Sequence, residues 1–318
     1  MKTNITILTM VSLFLVVLMT DCSKDDSNQS DQGKLTVKIT DAPSDDANIQ
    51  ATFVTVADVK VEGQSVEGFS KQTIKVSDLQ AGKTQILFDG DLQAETYDNI
   101  SLVLDYESDA SGNSPGCYVL DNEDAKHDLN SSTSTTGEIK LDKSFMVDAN
   151  GSTDLVVDFD LRKSIVHNEN TSETSKFKFV TEAELKNSLR LESAEKCGDI
   201  KGKATNSFNQ SELIVFAYHK GDYNASTETQ GQGNSNVLFA KAVTSAKVKA
   251  DGSYQLSFLE EGDYEIHVAS YDEESGTGKL IFKGMLNAES SISGLLMNNI
   301  SVQAKANVAL NFNILALL

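Results

Sequence analysis

Carboxylates are the commonest chemistry-bearing side chains in this chain, 47 acidic against 27 basic residues. Asp105, Glu107 and Asp109 alternate in the manner of a calcium loop. An EF-hand loop opening at Asp105 needs Gly at its sixth place and Glu at its twelfth. Ala110 and Gly116 stand there instead, so the motif fails. Asp41, Asp45 and Asp46 are a second calcium candidate, weighed against the plainer reading of a solvated acidic loop. Asp158 and Asp160 share one strand face opposite Phe159, and Arg162 continues that face. The expectation there is a solvated, partly salt-bridged surface. Glycoside hydrolysis uses two carboxylates paired in space rather than in sequence, so no pair can be singled out.

The four histidines, His127, His167, His219 and His267, form no H-x-x-x-H or H-E-x-x-H spacing, which gives a zinc hydrolase no support. His267 faces opposite Ile266 on its strand and is expected to be exposed. No nucleophile elbow, phosphate loop or dinucleotide fingerprint occurs. Ser114-Pro115-Gly116-Cys117 places a thiol in a turn, with no histidine nearby in sequence to activate it. The expectation is a protein that is not an enzyme and carries no cofactor beyond the calcium candidate.

These residues ride on strands. Leu35, Val37 and Ile39 alternate with polar neighbours, as do Ile100, Leu102 and Leu104, and Leu155, Val157, Phe159 and Leu161. Such a period of two buries one face of a strand. The alternation slips at Ala57-Asp58, which predicts a β-bulge. A short helix is expected only around Glu182–Arg190. Asp251-Gly252 makes a tight turn into Tyr254, Leu256 and Phe258, which are expected to point inward. Leu259-x-x-Gly262-x-Tyr264 then turns a corner, with Tyr264 placed to bond back to the arch backbone. Leu92 to Tyr97 echoes that pattern. Residues 107–135 form the longest irregular stretch, and the polar tract Tyr223–Asn236 reads as disordered. The length of 318 residues suits about two domains: a β-sandwich over 34–192 and a second over 197–318.

The amino terminus reads as an address. Lys2 precedes the apolar run Ile5 to Met19, which at ~1.5 Å per residue is too short for a ~30 Å hydrocarbon core. Residues 1–21 read as a signal peptide, and 22–33 as a flexible tether. Leu18-Met19-Thr20-Asp21-Cys22 resembles a lipobox, departing from the pattern at Met19 and Asp21. The resemblance implies lipidation of Cys22 and anchoring in a membrane by acyl chains. Ser23-Lys24-Asp25-Asp26 resembles the lipoprotein export signal of Bacteroidota-type bacteria, which implies display on the outer face of the outer membrane. In that oxidising setting Cys117 and Cys197 are candidates for a disulfide, the alternative being two unpaired buried thiols.

Lys34-Leu35-Thr36-Val37-Lys38-Ile39-Thr40-Asp41-Ala42-Pro43, with the Val157–Val166 block, resembles the opening and later strand of domain-of-unknown-function family 4382, over about 33–190. No activity comes with it. Gly198-x-Ile200-x-Gly202 and the Asp251–Val268 block resemble a carboxypeptidase-regulatory-like, transthyretin-like sandwich, which implies a fold and a companion role. The fold expected is all-β, two tandem immunoglobulin/transthyretin-like sandwiches after a lipoprotein signal. A net charge of −20 repels nucleic acid. The function expected is a surface lipoprotein with a non-catalytic binding or scaffold role, toward an extracellular glycan or an envelope protein. The alternatives are a pilin- or matrix-like structural subunit and, third, an acidic-residue hydrolase.

Overall fold

A computed structural model describes residues 31–42, 46–130, 134–168, 175–205, 212–274 and 279–318. The chain is all-β, built of sandwiched sheets with only short helices. In the first unit a four-stranded sheet runs Leu189–Ser193, Ser152–Asp160, Gln32–Ala42, Gln85–Gln93. Its two middle strands are parallel, from Lys34 opposite Ser152 to Ala42 opposite Asp160. The facing sheet centres on Ile49–Val61 and Thr96–Asp105. Leu35, Val37, Ile39, Leu155, Val157 and Phe159 are fully buried, as alternation requires, and share one core with Val54, Val56, Ile100, Leu102 and Leu104. Each such side chain contributes about 1.5–3 kcal/mol through burial. The register shifts between Val56 and Asp58, where the phase slip predicted a bulge. The helix expected near 182–190 is Glu182–Ser188.

In the second unit one long sheet folds over on itself. Cys197–Thr205 turns the corner: residues up to Lys203 pair with Ser253–Glu260, and Ala204 and Thr205 pair with Phe312–Leu317. Ile200, Leu256, Tyr264, Ile266, Val268, Leu310 and Phe312 fill its core. Strand Glu212–His219 is buried from Leu213 to Tyr218, because Phe239 and Ala242 from the following loop cover its second face. That explains its unbroken apolar run.

Both corner tyrosines close the same ring. Tyr264 Oη donates to the Glu260 carbonyl at 2.9 Å, and Tyr97 Oη donates to the Gln93 carbonyl at 2.9 Å. Three expectations need correction. Phe258 does not point inward: the ladder slips between Gly198 and Ile200, Phe258 takes φ 54°, and Leu259 occupies the core position. The 223–236 tract is ordered around helix Ala225–Glu228, capped by Asn224. Its Glu228 is fully buried and accepts from Tyr218 Oη at 3.0 Å and Lys241 N at 3.0 Å. His267 is half-buried rather than exposed, because Tyr223 stacks on it at 3.7 Å between ring centroids.

Candidate functional site

The strand Ser152–Asp160 sends Leu155, Val157 and Phe159 into the first core, so Asp158 and Asp160 face away from it. The second unit covers that outer face. Asp158 and Asp160 are each 2 % exposed and Arg162 is 3 % exposed, which overturns the expected solvated face. Sequence alternation fixed which way these residues point but carried no sign of the partner surface.

Two arginines join the units there. Arg190, opposite Asp158 in the antiparallel ladder, holds Asp158 Oδ2 through Nε at 2.8 Å and Nη2 at 2.7 Å. It also donates to the second unit's carbonyls, Nη1 to Phe258 at 2.5 Å and Nη2 to Ser257 at 3.0 Å. Arg162 lies 3.4 Å from Asp160, donates to the Leu238 and Phe239 carbonyls at 2.5 and 3.2 Å, and sits over the Phe216 ring. Lys163 Nζ reaches the Ala242 carbonyl at 3.2 Å, and Lys143 bridges Glu192 and Glu260. Each arginine thus spends its fork on a carboxylate and two carbonyls, the geometry for which guanidinium is suited, and Arg190 Nη1 also lies 3.6 Å from Glu192 Oε1. The bulge at Phe258 turns the Ser257 and Phe258 carbonyls to Arg190.

Beside this seam lies a cleft of about 980 Å³ lined by both units. Turn 77–83 forms one wall. Gly82 there has φ +79°, and a Cβ on it would stand 2.9 Å from Gln255 Nε2, so the turn rests directly on the second unit. The opposite wall is the outer face of the Cys197–Thr205 and Ser253–Glu260 pair, where Lys201 lies opposite Gln255 and Lys203 opposite Ser253. Lys247 and Lys249 enter from the end of strand Thr244–Lys247. Asp41 and Asp158 line the inner end. Asp41 Oδ2 and Asp158 Oδ1 are buried without hydrogen-bond partners. Burial, reinforced by the charges of Asp158 and Asp160, pushes the Asp41 carboxyl well above the usual carboxylate range. Burial also raises Asp158, against the pull of Arg190.

The candidate site residues fall as follows. Cys22, Ser23, Lys24, Asp25, Asp26 and Asp45 lie outside the described residues. Of the calcium candidates Asp41, Asp45 and Asp46, the described residues place Asp41 and Asp46 with other partners. Asp41 accepts from Leu161 N within the seam, and Asp46 pairs with His167. Among the described residues no group of His, Cys, Asp and Glu side chains is disposed to hold a metal. Cys117 and Cys197 form no disulfide; both are free and buried. Cys117 packs in the first core against Thr55, while Cys197 opens the first strand of the second unit. Burial pushes both thiols up to about 12, so neither is an activated nucleophile. The cleft lysines and Arg190 went unremarked in the sequence, where lysines on alternate strand positions look like any solvated face.

The fold and cleft define a two-unit β-sandwich protein with a polar groove between its units. Residues 32–179 match the family model for DUF4382, a domain of unknown function, so the match covers the first unit short of its helix Glu182–Ser188 and edge strand Leu189–Ser193. A comparison with curated proteins finds no match. Among solved structures, the chain is similar to the Bacillus anthracis TIE protein, at 11 % identity and TM-score 0.19, covering 89 % of this chain and 34 % of that one. A leucine-rich repeat protein from Bacteroides thetaiotaomicron shows 13 % identity and TM-score 0.21 over 90 % of this chain and 27 % of that one. BcpA, the major pilin subunit of Bacillus cereus, shows 11 % identity and TM-score 0.20 over 89 % and 70 %. The chain spans about a third of the first of these proteins and about a quarter of the second. At these TM-scores the likeness carries neither fold nor function across.

Proposed function

We propose that this chain is a non-catalytic binding protein of the bacterial surface, and that the cleft between its two sandwiches is where it holds its ligand. The observation that carries this reading is a groove lined by both units beside a seam locked by buried arginines. A preformed groove at a unit boundary with polar groups from two walls is the usual setting of a binding site. The cleft contains no histidine and no cysteine, and the two buried thiols lie elsewhere. Support for the lipid anchor comes from the sequence alone, in Cys22 after its apolar run and in the Ser23–Asp26 tag. The Tyr264 corner supports reading the second unit as a carboxypeptidase-regulatory-like, transthyretin-like companion.

Binding is tested by incubating the detergent-solubilised full chain with a panel of neutral and acidic polysaccharides, followed by calorimetry and mass analysis of the recovered saccharide. Binding with the saccharide returned intact is expected. Cleavage products would contradict the non-catalytic reading, and the absence of any binding would contradict the glycan partner. The anchor has its own test. Protein extracted from membranes is expected to begin at an acylated Cys22 and to be lost on protease shaving of whole cells; an unmodified mass in the soluble fraction contradicts it.

A second reading, a structural subunit of a surface assembly, draws on Leu315, Leu317 and Leu318, which are 53, 52 and 77 % exposed near the end of the last strand. It predicts oligomers that grow with concentration; a strictly monomeric protein contradicts it.

A further inference from the structure

We infer that the cleft recognises an anionic glycan, a short oligosaccharide stretch bearing carboxylate or sulfate groups. This rests on the reading of the cleft as the binding site. The chain as a whole is strongly acidic, yet its cleft is lined by Lys83, Lys201, Lys203, Lys247 and Lys249 against Asp41, Asp78 and Asp158. Two of those carboxylates are masked: Arg190 pairs with Asp158, and Asp41 is buried and keeps its proton above the usual range. Asp78 is paired with Lys75 at 3.1 Å. The positive charge is less spent. Lys247 faces Glu212 at 3.0 Å and Lys201 bonds the neutral Asn307 side chain, while Lys83, Lys203 and Lys249 have no ion pair among the described residues.

Spacing selects a polymer over a single ion. Lys201 and Lys203 are two apart on one strand face, and Lys249 follows two residues after Lys247, the last residue of strand Thr244–Lys247. Side chains two apart on a strand stand about 6.5–7 Å apart, so Lys201 and Lys203 present a short row of ammonium groups along a wall. Lysine serves as a point charge and does not require a planar bidentate anion. Neutral hydrogen-bonding groups line the cleft with them, among them Ser253, Gln255 and Asn311, which suit hydroxyls. A cavity of about 980 Å³ suits a few sugar rings. Nucleic acid is disfavoured because the strongly acidic surroundings repel a long phosphate backbone, and because Tyr254 is buried with its hydroxyl bonded to the Leu310 carbonyl rather than free to stack on bases.

The test is calorimetry on the full chain with four probes: an oligogalacturonate, a sulfated oligosaccharide, the neutral methyl ester of the first, and a short single-stranded oligonucleotide. Each is measured at about 50 mM and about 500 mM sodium chloride, either side of physiological screening. The double variant Lys203→Glu/Lys249→Glu and the single variant Lys83→Glu alter opposite walls at exposed positions; Lys305→Glu, exposed and outside the cleft, is the control. One of the two acidic saccharides is expected to bind, salt to weaken it, the double variant to lose roughly tenfold or more in affinity, and the control to keep it. Which acidic probe wins distinguishes carboxylate from sulfate. Equal binding of the neutral ester, unmoved by the lysine variants, overturns the anionic assignment and leaves the cleft as a binding site. Tighter binding of the oligonucleotide overturns the glycan assignment. Acidic-saccharide binding that survives both cleft variants places the site elsewhere and overturns this inference together with the reading it rests on, as does the failure of every probe to bind.

Discussion

Arg190 is the residue on which the seam most depends, since one guanidinium serves Asp158 and two carbonyls of the other unit. Arg190→Met would strand a buried carboxylate and is expected to cost about 3–5 kcal/mol in urea denaturation. Adding Asp158→Asn should recover much of that loss; a double variant as unstable as the single one would show that the carbonyl contacts, not the ion pair, carry the stability. Asp41 provides a pH signature. Burial raises its folded pKa above the ~3.9 of an unfolded Asp. The protonated form's contribution is therefore complete below about pH 4 and is lost as pH rises through the folded value. Asp41→Asn cannot lose that proton. It is expected to be more stable than the parent by about 1 kcal/mol or more at pH 8 and little different at pH 4; equal shifts at both pH values would contradict the assignment. Cys117 and Cys197 bear on the sequence reading directly. A reductant is expected to leave the melting temperature unchanged, and a thiol reagent to label both residues only after unfolding. Loss of stability on reduction would restore the disulfide. The sequence put both cysteines in reach of an oxidising compartment, but thiol pairing is decided by placement, which spacing does not encode.

Strands and corners were the most legible elements. A period of two locates the core positions of Leu35, Val37, Ile39, Leu155, Val157 and Phe159, and a slip in that period locates the bulge after Val56. Tyr97 and Tyr264 make the same four-residue return bond, so the echo between the two units is one physical device used twice. Phe258 defeated the same reasoning, because nothing in a hydrophobic alternation announces where a strand takes an extra residue. The 223–236 tract defeated it through composition: a capped helical turn and the buried Glu228, which accepts from Tyr218 and Gln232, order a segment whose residues are mostly polar and exposed. Helix Glu182–Ser188 carries a prediction. Burial alone would raise Glu184, but hydrogen bonds from Ser235 and Thr181 outweigh it and pull the carboxyl down to about 2. Glu184 accepts from Ser235 N at 3.0 Å and Oγ at 2.6 Å, so it caps its helix and ties it to the second unit. Its stabilising contribution is present above the unfolded value of ~4.3 and is lost as pH falls from there toward 2. Glu184→Gln is expected to cost about 1 kcal/mol at neutral pH and to flatten the acid limb of the stability curve over that window. An acid limb unchanged by the substitution would contradict this.

At the scale of the whole molecule, two sandwiches that each own a core are joined by charge pairs withdrawn from water. Val237 of the second unit's loop packs into the first core, and Arg162 and Arg190 reach the other way to second-unit carbonyls. The acidic surface and the lysine-lined cleft are then complementary features: overall charge keeps the chain soluble and repels nonspecific polyanions, while the groove concentrates positive charge where two walls converge. None of this was visible in the sequence, because the cleft is made by residues spread from Thr40 to Asn311 that meet only once both units have folded. The account is tested most directly by hydrogen–deuterium exchange of the full chain with and without an acidic oligosaccharide. Slowed exchange confined to residues 77–83, 199–203 and 244–258 is the predicted result. Protection that appears elsewhere while those three segments stay unchanged would contradict the claim that the cleft between the sandwiches is where this protein binds.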